Sequence, residues 1–365
     1  MEYTNFFSGV QDYRVQGRIQ HHLNDILMLS LCAVLSGADD FEEIEDYGKE
    51  KEEFLKSFLL LPNGIPSHDT INRVFEHICP KEFLSCLSQE TKSILDLLSK
   101  RRISIDGKVL RATREQGKAN SGLCIVSAWA NDISLTLGQL RVAKKSNEKT
   151  AIPELISTLD LDKSLVSIDA IACQKGVAKQ ISEAGGDYIL ALKKNQKILY
   201  EQAMYEFERQ KSSLNSDTWI DFGSGRIETR KAYVLDNLCF VDQAKDWKNL
   251  RSIFIIEAQR EKGDKLQKQT RLYISSLNIS PKEANIHIRE HWSIENSLHW
   301  QLDVTFKEDR SRCKKGNAPD NMNILRKTAL NLLKRTKGKE SMKNKRKKAG
   351  WNDKFLLEIL KTCDF

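Results

Sequence analysis

Two short segments of the chain read almost alike, Ile-Ser-Ile-Asp at residues 103–106 and Val-Ser-Ile-Asp at residues 166–169. Each places a carboxylate at the end of a β-branched, apolar strand. If the two strands are neighbours, Asp106 and Asp169 emerge side by side, and such like charges are costly unless a cation neutralises them. Taken singly, Asp106-Gly107 could be only a hairpin turn and Asp169 only a helix N-cap. The repeated context favours a shared site for Mg²⁺ or Mn²⁺.

The surrounding sequence predicts an α/β fold. After the strand at 103–106, residues 123–130 and 135–142 read as strands. Alternating helices and strands follow to about residue 210, a pattern typical of a mixed sheet covered by helices. Residues 218–277 add further strands, and helices return at 281–301 and 318–333.

A third acid lies in the segment 287–303. At helical spacing His291, Glu295 and His299 fall on one stripe, beside Ile294, Leu298 and Leu302, which can anchor the helix to the core. The two histidines could instead form a zinc site, although the metalloprotease spacing His-Glu-x-x-His is absent. The stripe could also be an ordinary polar helix face.

The N-terminal region, residues 1–98, is predicted to be helical. An apolar helix at 24–36 ends at Gly37, and residues 40–61 have the pattern of one amphipathic helix. Ser67 is predicted to cap the next helix, at 70–78. That helix could belong to a helix-turn-helix motif with Asn72 and Arg73 facing DNA. A helical bundle without DNA contacts explains the pattern equally well.

Charge is concentrated near the C-terminus. The formal net charge is +8, and residues 334–348 hold nine Lys or Arg and one acid, so this segment accounts for the whole excess. Such a run attracts phosphate backbones, here through Lys345, Arg346 and Lys347, or is merely a solvated tail. No apolar run approaches a membrane span and no secretory signal is visible, so we expect no membrane association. The eight cysteines form no Cys-x-x-Cys pair, which fits a reducing cytoplasm.

Several motifs together resemble the H-repeat-associated transposases, a family of insertion-sequence proteins. The similarity runs from about residue 12 to residue 360. The supporting segments are 25–27, 36–39, 61–70, 105–108, 168–170 with 173–174, 186–188, 291–296, 298–300, 302–304 and 349–351.

The resemblance implies a ribonuclease-H-like mixed sheet with flanking helices, spanning residues 102–335. A β-rich insertion at about 215–278 separates the second Asp from the Glu, and residues 336–365 form a basic C-terminal tail with a short helix. The resemblance also assigns the catalytic, metal-binding triad to Asp106, Asp169 and Glu295, with two Mg²⁺ or Mn²⁺ ions per site.

The same resemblance indicates residues near DNA. Lys108, Arg226 and Arg230 are candidate phosphate contacts, and surface charge is their alternative interpretation. His291 and His299 could position a strand, whereas we expect Trp292 and Trp300 to pack in the core. Related transposases carry Tyr, Arg and Lys where this chain has Ile288, His291 and Leu302, and His where it has Ser224.

The function expected from this resemblance is that of a bacterial, cytoplasmic and nucleoid-associated DNA transposase. It would bind the terminal inverted repeats of its element and target DNA as a homodimer, cut at the element ends and transfer the freed 3′-hydroxyl groups. Two alternatives stay open: a nuclease of the same fold, and a domesticated DNA-binding protein without catalysis.

Overall fold

A computed structural model describes residues 7–15, 17–95, 101–114, 122–142, 147–223 and 225–362, with only the backbone for 88–95. Its centre is one nine-stranded sheet in the order β3-β2-β1-β4-β5-β9-β8-β7-β6. The strands are β1 Arg101–Leu110, β2 Leu123–Ala130, β3 Leu135–Arg141, β4 Ser164–Ile168, β5 Asp187–Leu192, β6 Ser216–Gly223, β7 Arg226–Leu235, β8 Ser252–Lys262 and β9 Lys265–Ser275.

The strand directions make this a mixed sheet. Strand β1 pairs antiparallel with β2 and parallel with β4, and β4 pairs parallel with β5. The expected ribonuclease-H-like α/β fold is therefore confirmed. The strands of the β-rich insertion, β6 to β9, continue the same sheet, because β9 pairs antiparallel with β5.

Helices cover both faces of the sheet and build a separate helical layer. They are α1 Leu23–Ser36, α2 Phe41–Glu50, α3 Glu52–Leu55, α4 His68–His77, α5 Pro80–Leu95, α6 Glu148–Ile156, α7 Lys175–Glu183, α8 Lys197–Gln210, α9 Pro281–His291, α10 Trp300–Val304, α11 Ala318–Arg335, α12 Met342–Trp351 and α13 Asp353–Lys361.

Side-chain alternation along the strands separates two cores. In β5, Tyr188 and Leu190 pack with residues of α6, α7 and α8, whereas Ile189 and Ala191 pack on the opposite face with residues of α9. Successive strand residues point to opposite faces, so a strand buried on both faces is apolar throughout. The sheet is thus covered on both sides around β5.

A third core joins the two ends of the chain. The buried residues of α1, α2 and α4 form one cluster with those of α11, α12 and α13. Within it Arg346 of α12 donates hydrogen bonds to the carbonyls of Val34 and Ala38, around the end of α1. The N-terminal helices therefore share their core with the C-terminal helices.

The helix signals of the N-terminal region are confirmed in part. Gly37 ends α1 with φ of 123° and donates to the carbonyls near the end of that helix, and the Ser67 side chain caps α4 by accepting from the Thr70 amide. The single amphipathic helix expected over 40–61 is wrong. It is interrupted at Lys51, whose non-helical backbone (φ −115°, ψ 17°) separates α2 from α3. Within the described residues, every helix is too short or too polar to cross a membrane.

Candidate metal centre

Asp106 and Asp169 open into the same cavity. In the parallel pairing of β1 with β4, Ile105 lies opposite Ile168, so the two residues that follow them leave adjacent strands at corresponding positions. Asp106 is still within β1, and Asp169 follows the end of β4 directly. Both carboxylates line a cavity of about 580 Å³. The adjacency expected from the repeated sequence is therefore present.

Glu295 reaches this cavity from a widened helical turn. Residues Glu295–His299 form a π-helix in which the Trp300 amide donates to the Glu295 carbonyl, five residues back. We expected a regular α-helix over 281–301, and this is wrong at that turn. Single π-turns inside α-helices occur often at functional sites. The expected anchors are confirmed, since Ile294, Leu298 and Leu302 are buried.

His299 lies between two of the acids. Its Nδ1 is 3.6 Å from Asp106 Oδ2 and 3.5 Å from Glu295 Oε2, and its side chain is only 7% exposed. Among the described residues, donor atoms of Asp106, Glu295 and His299 all lie within 4.8 Å of one another. This group has the residue types and spacing of a divalent-cation site.

Burial and like charge shape the protonation of the acids. Burial, together with the charges of Glu295 and Asp169 and against the opposing effect of His299, raises the pKa of Asp106 to about 6. The polar contact with His299 lowers the pKa of Glu295. Asp169 is half exposed, and its Oδ1 lies 3.4 Å from the Lys193 ammonium. The site thus holds a partly buried carboxylate, Asp106, whose pKa stays raised in spite of the neighbouring His299.

His291 plays a different part from His299. Its Nδ1 lies 2.9 Å from the Ser167 hydroxyl on β4, and burial lowers its pKa, which favours the neutral ring. His291 lines the cavity, but it is absent from the group of donor atoms that includes His299. A zinc site shared by the two histidines therefore finds no support in the described residues.

The helix that carries Glu295 is fastened to the sheet on both sides of the π-turn. On one side Arg102 forms an ion pair with Glu290, and Asn131 donates to the Ser293 hydroxyl. On the other side, Lys108 of β1 forms ion pairs with Asp303 and Glu308. Lys334 donates to the Ser297 carbonyl inside the turn. These contacts fix the position of Glu295 relative to Asp106.

Several of the residues expected to contact DNA are buried and bonded within the protein. Lys108 is only 12% exposed and is occupied by the two carboxylates named above, so it is not free for a phosphate. Lys345 and Arg346 are also buried, because α12 packs into the helical core. Lys345 donates to the carbonyls of Leu333 and Thr336. The segment expected to be a basic tail contains two packed helices.

The remaining candidates lie in different settings. Arg230 is buried next to Asp221, at 3.9 Å, and its role as a phosphate contact stays a prediction. Arg226 at the β6–β7 hairpin and Lys347 on α12 are exposed. On α4, Arg73 is exposed and Asn72 is half-buried. Ser224 lies outside the described residues.

The cavity also contains residues that the sequence did not single out. Lys193, Lys194, Arg271 and Tyr200 line it together with Trp292. The Arg271 guanidinium lies over the Trp292 ring, 4.9 Å from its centroid. Core packing was expected for Trp292 and Trp300 and is wrong, since they are 42% and 52% exposed. Lys193-Lys194 directly follow β5, the parallel neighbour of β4, and that position could have revealed them.

Comparison with known proteins agrees with this geometry. Residues 4–89 match the family model "DDE_Tnp_1-associated", and residues 98–332 match the model "Transposase DDE domain". A protein of Escherichia coli O157:H7 named "Putative transposase YncI" is 39% identical, covering 98% of this chain and 94% of its own length. A protein of E. coli K12 named "H repeat-associated putative transposase YhhI" is 35% identical, covering 97% of this chain and 96% of its own length. A shorter K12 protein named "Inactive transposase YbfQ" is 52% identical over 63 residues.

Proposed function

Because this chain belongs to the family of DDE transposases, we propose that it cuts DNA at the ends of an insertion sequence and joins the freed ends to target DNA. The observation that carries this proposal is the convergence of Asp106, Asp169 and Glu295 on one cavity. The acids come from β1, from the end of β4 and from a π-turn more than 120 residues further along the chain. Such convergence of acids is what a metal-dependent phosphoryl transfer requires.

The donor set fits divalent cations, whose use the family implies. Carboxylate oxygens are preferred by Mg²⁺ and Mn²⁺. Burial keeps the pKa of Asp106 near 6, so its negative charge is poorly compensated by the protein alone, and a cation would supply the compensation. We propose two ions that share Asp106, with Asp169 and Glu295 as further ligands. When bound, such ions activate the attacking oxygen and stabilise the leaving oxygen.

The protein's own residues would orient the DNA. Lys193, Lys194 and Arg271 give the cavity wall a positive charge that can hold phosphates. The exposed ring of Trp292, supported by Arg271, offers a face on which a base or sugar can rest. Exposed Arg226, Arg73 and Lys347 are candidates for contacts farther along the duplex.

Transposition brings two element ends together, so we propose a homodimer on DNA that binds terminal inverted repeats. Sedimentation of the complex with a labelled element end would test the stoichiometry. Two chains per pair of ends is the expected result, and cleavage and joining by a strict monomer would contradict it. The cytoplasmic location stays a prediction.

The direct test is cleavage and joining on a labelled element end with Mg²⁺ or Mn²⁺. Asp106→Asn, Asp169→Asn and Glu295→Gln each remove a ligand charge at nearly constant shape, so each should abolish both steps in a folded protein. Asp246→Asn is the matched control, because Asp246 is a surface acid paired with Lys175 outside the cavity. Cleavage without joining would favour a nuclease. DNA binding without metal-dependent cleavage by the unaltered protein would favour a non-catalytic DNA-binding protein.

A further inference from the structure

We propose that His299 is a nitrogen ligand of the cation held by Asp106 and Glu295. The metal centre would then be asymmetric, with one mixed oxygen–nitrogen position and one all-oxygen position between Asp106 and Asp169. This inference rests on the proposed function, because it concerns the same cations. It adds a residue and a metal preference that an acid triad alone does not provide.

The distances between the donor atoms are those expected around a shared ion. His299 Nδ1 is 3.6 Å from Asp106 Oδ2 and 3.5 Å from Glu295 Oε2. Both separations exceed the ~2.7–3.2 Å of ordinary hydrogen bonds to oxygen. Two atoms that each lie ~2.1 Å from one shared ion are about 3–3.5 Å apart in tetrahedral or octahedral geometry. The three side chains therefore need only small adjustments to coordinate one cation.

The histidines of this segment differ in their hydrogen-bond partners. His287 Nδ1 lies 3.2 Å from Glu290, and His291 Nδ1 lies 2.9 Å from the Ser167 hydroxyl. The His299 ring, by contrast, directs Nδ1 at two acids, and its buried Nε2 has no hydrogen-bond partner in the described structure. Both contacts of Nδ1 are longer than ordinary hydrogen bonds, so Nδ1 keeps a lone pair for an ion between the two acids, with the ring proton on Nε2.

The two sides of Asp106 differ in the donor atoms that they offer to a cation. On the Asp169 side, the Lys193 ammonium lies 3.4 Å from Asp169 Oδ1. The donors that this side offers to an ion are carboxylate oxygens. On the Glu295 side, an imidazole nitrogen joins the oxygens. Nitrogen donors raise the affinity for Mn²⁺ more than that for Mg²⁺, because Mg²⁺ strongly prefers oxygen. The Glu295 side is therefore expected to select Mn²⁺.

Pulsed electron paramagnetic resonance of the Mn²⁺-loaded full chain without DNA tests the ligand directly. An imidazole nitrogen bound to Mn²⁺ produces a resolvable ¹⁴N coupling. We expect this coupling in the unaltered protein and in the control His287→Gln, and its loss in His299→Gln. Absence of nitrogen coupling in the unaltered protein would overturn the proposal whether or not His299→Gln folds. Loss of the coupling in His291→Gln alone would overturn it too, by assigning the nitrogen to the other histidine.

Calorimetric titration separates a ligand from a merely structural residue. His299→Gln should weaken Mn²⁺ binding about tenfold and Mg²⁺ binding less than about threefold. Equal losses for both ions would mean that His299 only supports the site, which contradicts the proposal. DNA assays run in parallel keep the two proposals distinct. Nitrogen coupling without DNA cleavage would refute the proposed function alone, and cleavage without nitrogen coupling would refute this inference alone.

Discussion

Asp106 is the residue where function opposes stability most clearly. Burial raises its pKa from 3.8 to about 6. The folded chain therefore holds a proton between these values that the unfolded chain releases, and the metal-free protein loses stability as pH rises from about 4 to 6. At neutral pH, the partly buried charge of Asp106 destabilises the metal-free fold.

The raised pKa of Asp106 predicts how Asp106→Asn changes stability. At pH 7.5 in EDTA, the variant should increase the free energy of unfolding by about 1–3 kcal/mol, because a neutral amide replaces a poorly compensated carboxylate. Urea denaturation should show the gain shrinking as pH falls from 6 to 4. Asp246→Asn should show no such trend, and an Asp106→Asn variant less stable than the parent at pH 7.5 would contradict the reasoning.

Lys108 gives a second prediction at this scale. Its ammonium lies 2.7 Å from Glu308, which is 1% exposed, and also contacts Asp303. Lys108→Met would leave the Glu308 charge buried without its partner, at a cost of about 3–5 kcal/mol in unfolding free energy. The double variant Lys108→Met with Glu308→Gln should recover part of the loss, as measured by chemical denaturation. A single variant within about 1 kcal/mol of the parent would mean that the pair does not fasten β1 to the segment that follows α10.

The sequence predicts some of these residues and not others, for a physical reason. Asp106, Asp169 and Glu295 stand out because local patterns carry them: two matching strand segments and one helix stripe. The burial of Lys345 and Arg346 has no local signal, since a basic run looks solvated. Arg346 is buried because carbonyls at the end of α1, more than 300 residues away in the chain, accept its hydrogen bonds.

At the scale of elements, the contact between α1 and α12 depends on a glycine. A Cβ built on Gly350 would lie 2.6 Å from the Ser36 carbonyl oxygen, at the end of α1. Gly350→Ala should therefore push the helices apart and reduce the unfolding free energy by about 1–3 kcal/mol. The matched control is Gly176→Ala in α7, where a Cβ meets nothing within 4 Å. It should be neutral or gain up to about 1 kcal/mol. Equal effects in thermal denaturation would contradict the close approach.

Strands and helices were predicted better than their irregularities. Apolar, β-branched runs bounded by polar turns predict β2, β3, β7 and β8 because local composition determines them. The π-turn has no such signal, since Ile294, Leu298 and Leu302 keep the spacing of a regular helix. Its geometry depends on partners outside the segment, including the Lys334 ammonium on the Ser297 carbonyl. The break between α2 and α3 likewise falls inside a continuous amphipathic pattern.

At the scale of the whole molecule, the two ends of the chain share one core. The family models divide the sequence near residues 89–98. The N-terminal helices nevertheless pack with α11, α12 and α13. Long-range pairing of this kind cannot be read from composition or periodicity, because each helix shows only that it has an apolar face.

This arrangement predicts that residues 1–98 alone do not fold. Their apolar faces lack the partners supplied by α11–α13, so the fragment should show weak helical circular dichroism and no cooperative urea transition. The full chain is the control and should unfold cooperatively. A fragment with a sharp transition of its own would show that the N-terminal helices are an independent domain.

The order of synthesis gives the shared core a biological consequence. Helix α13 follows α1 by more than 300 residues along the chain, so the apolar face of α1 stays uncovered on the ribosome until α13 has been synthesised. A gene copy that has acquired an early stop codon or a frameshift would yield chains that cannot complete the core shared by the two ends. Proteases would degrade such chains. Decay of the gene would therefore remove the protein altogether, instead of leaving a stable remnant that occupies DNA ends and blocks the intact copies.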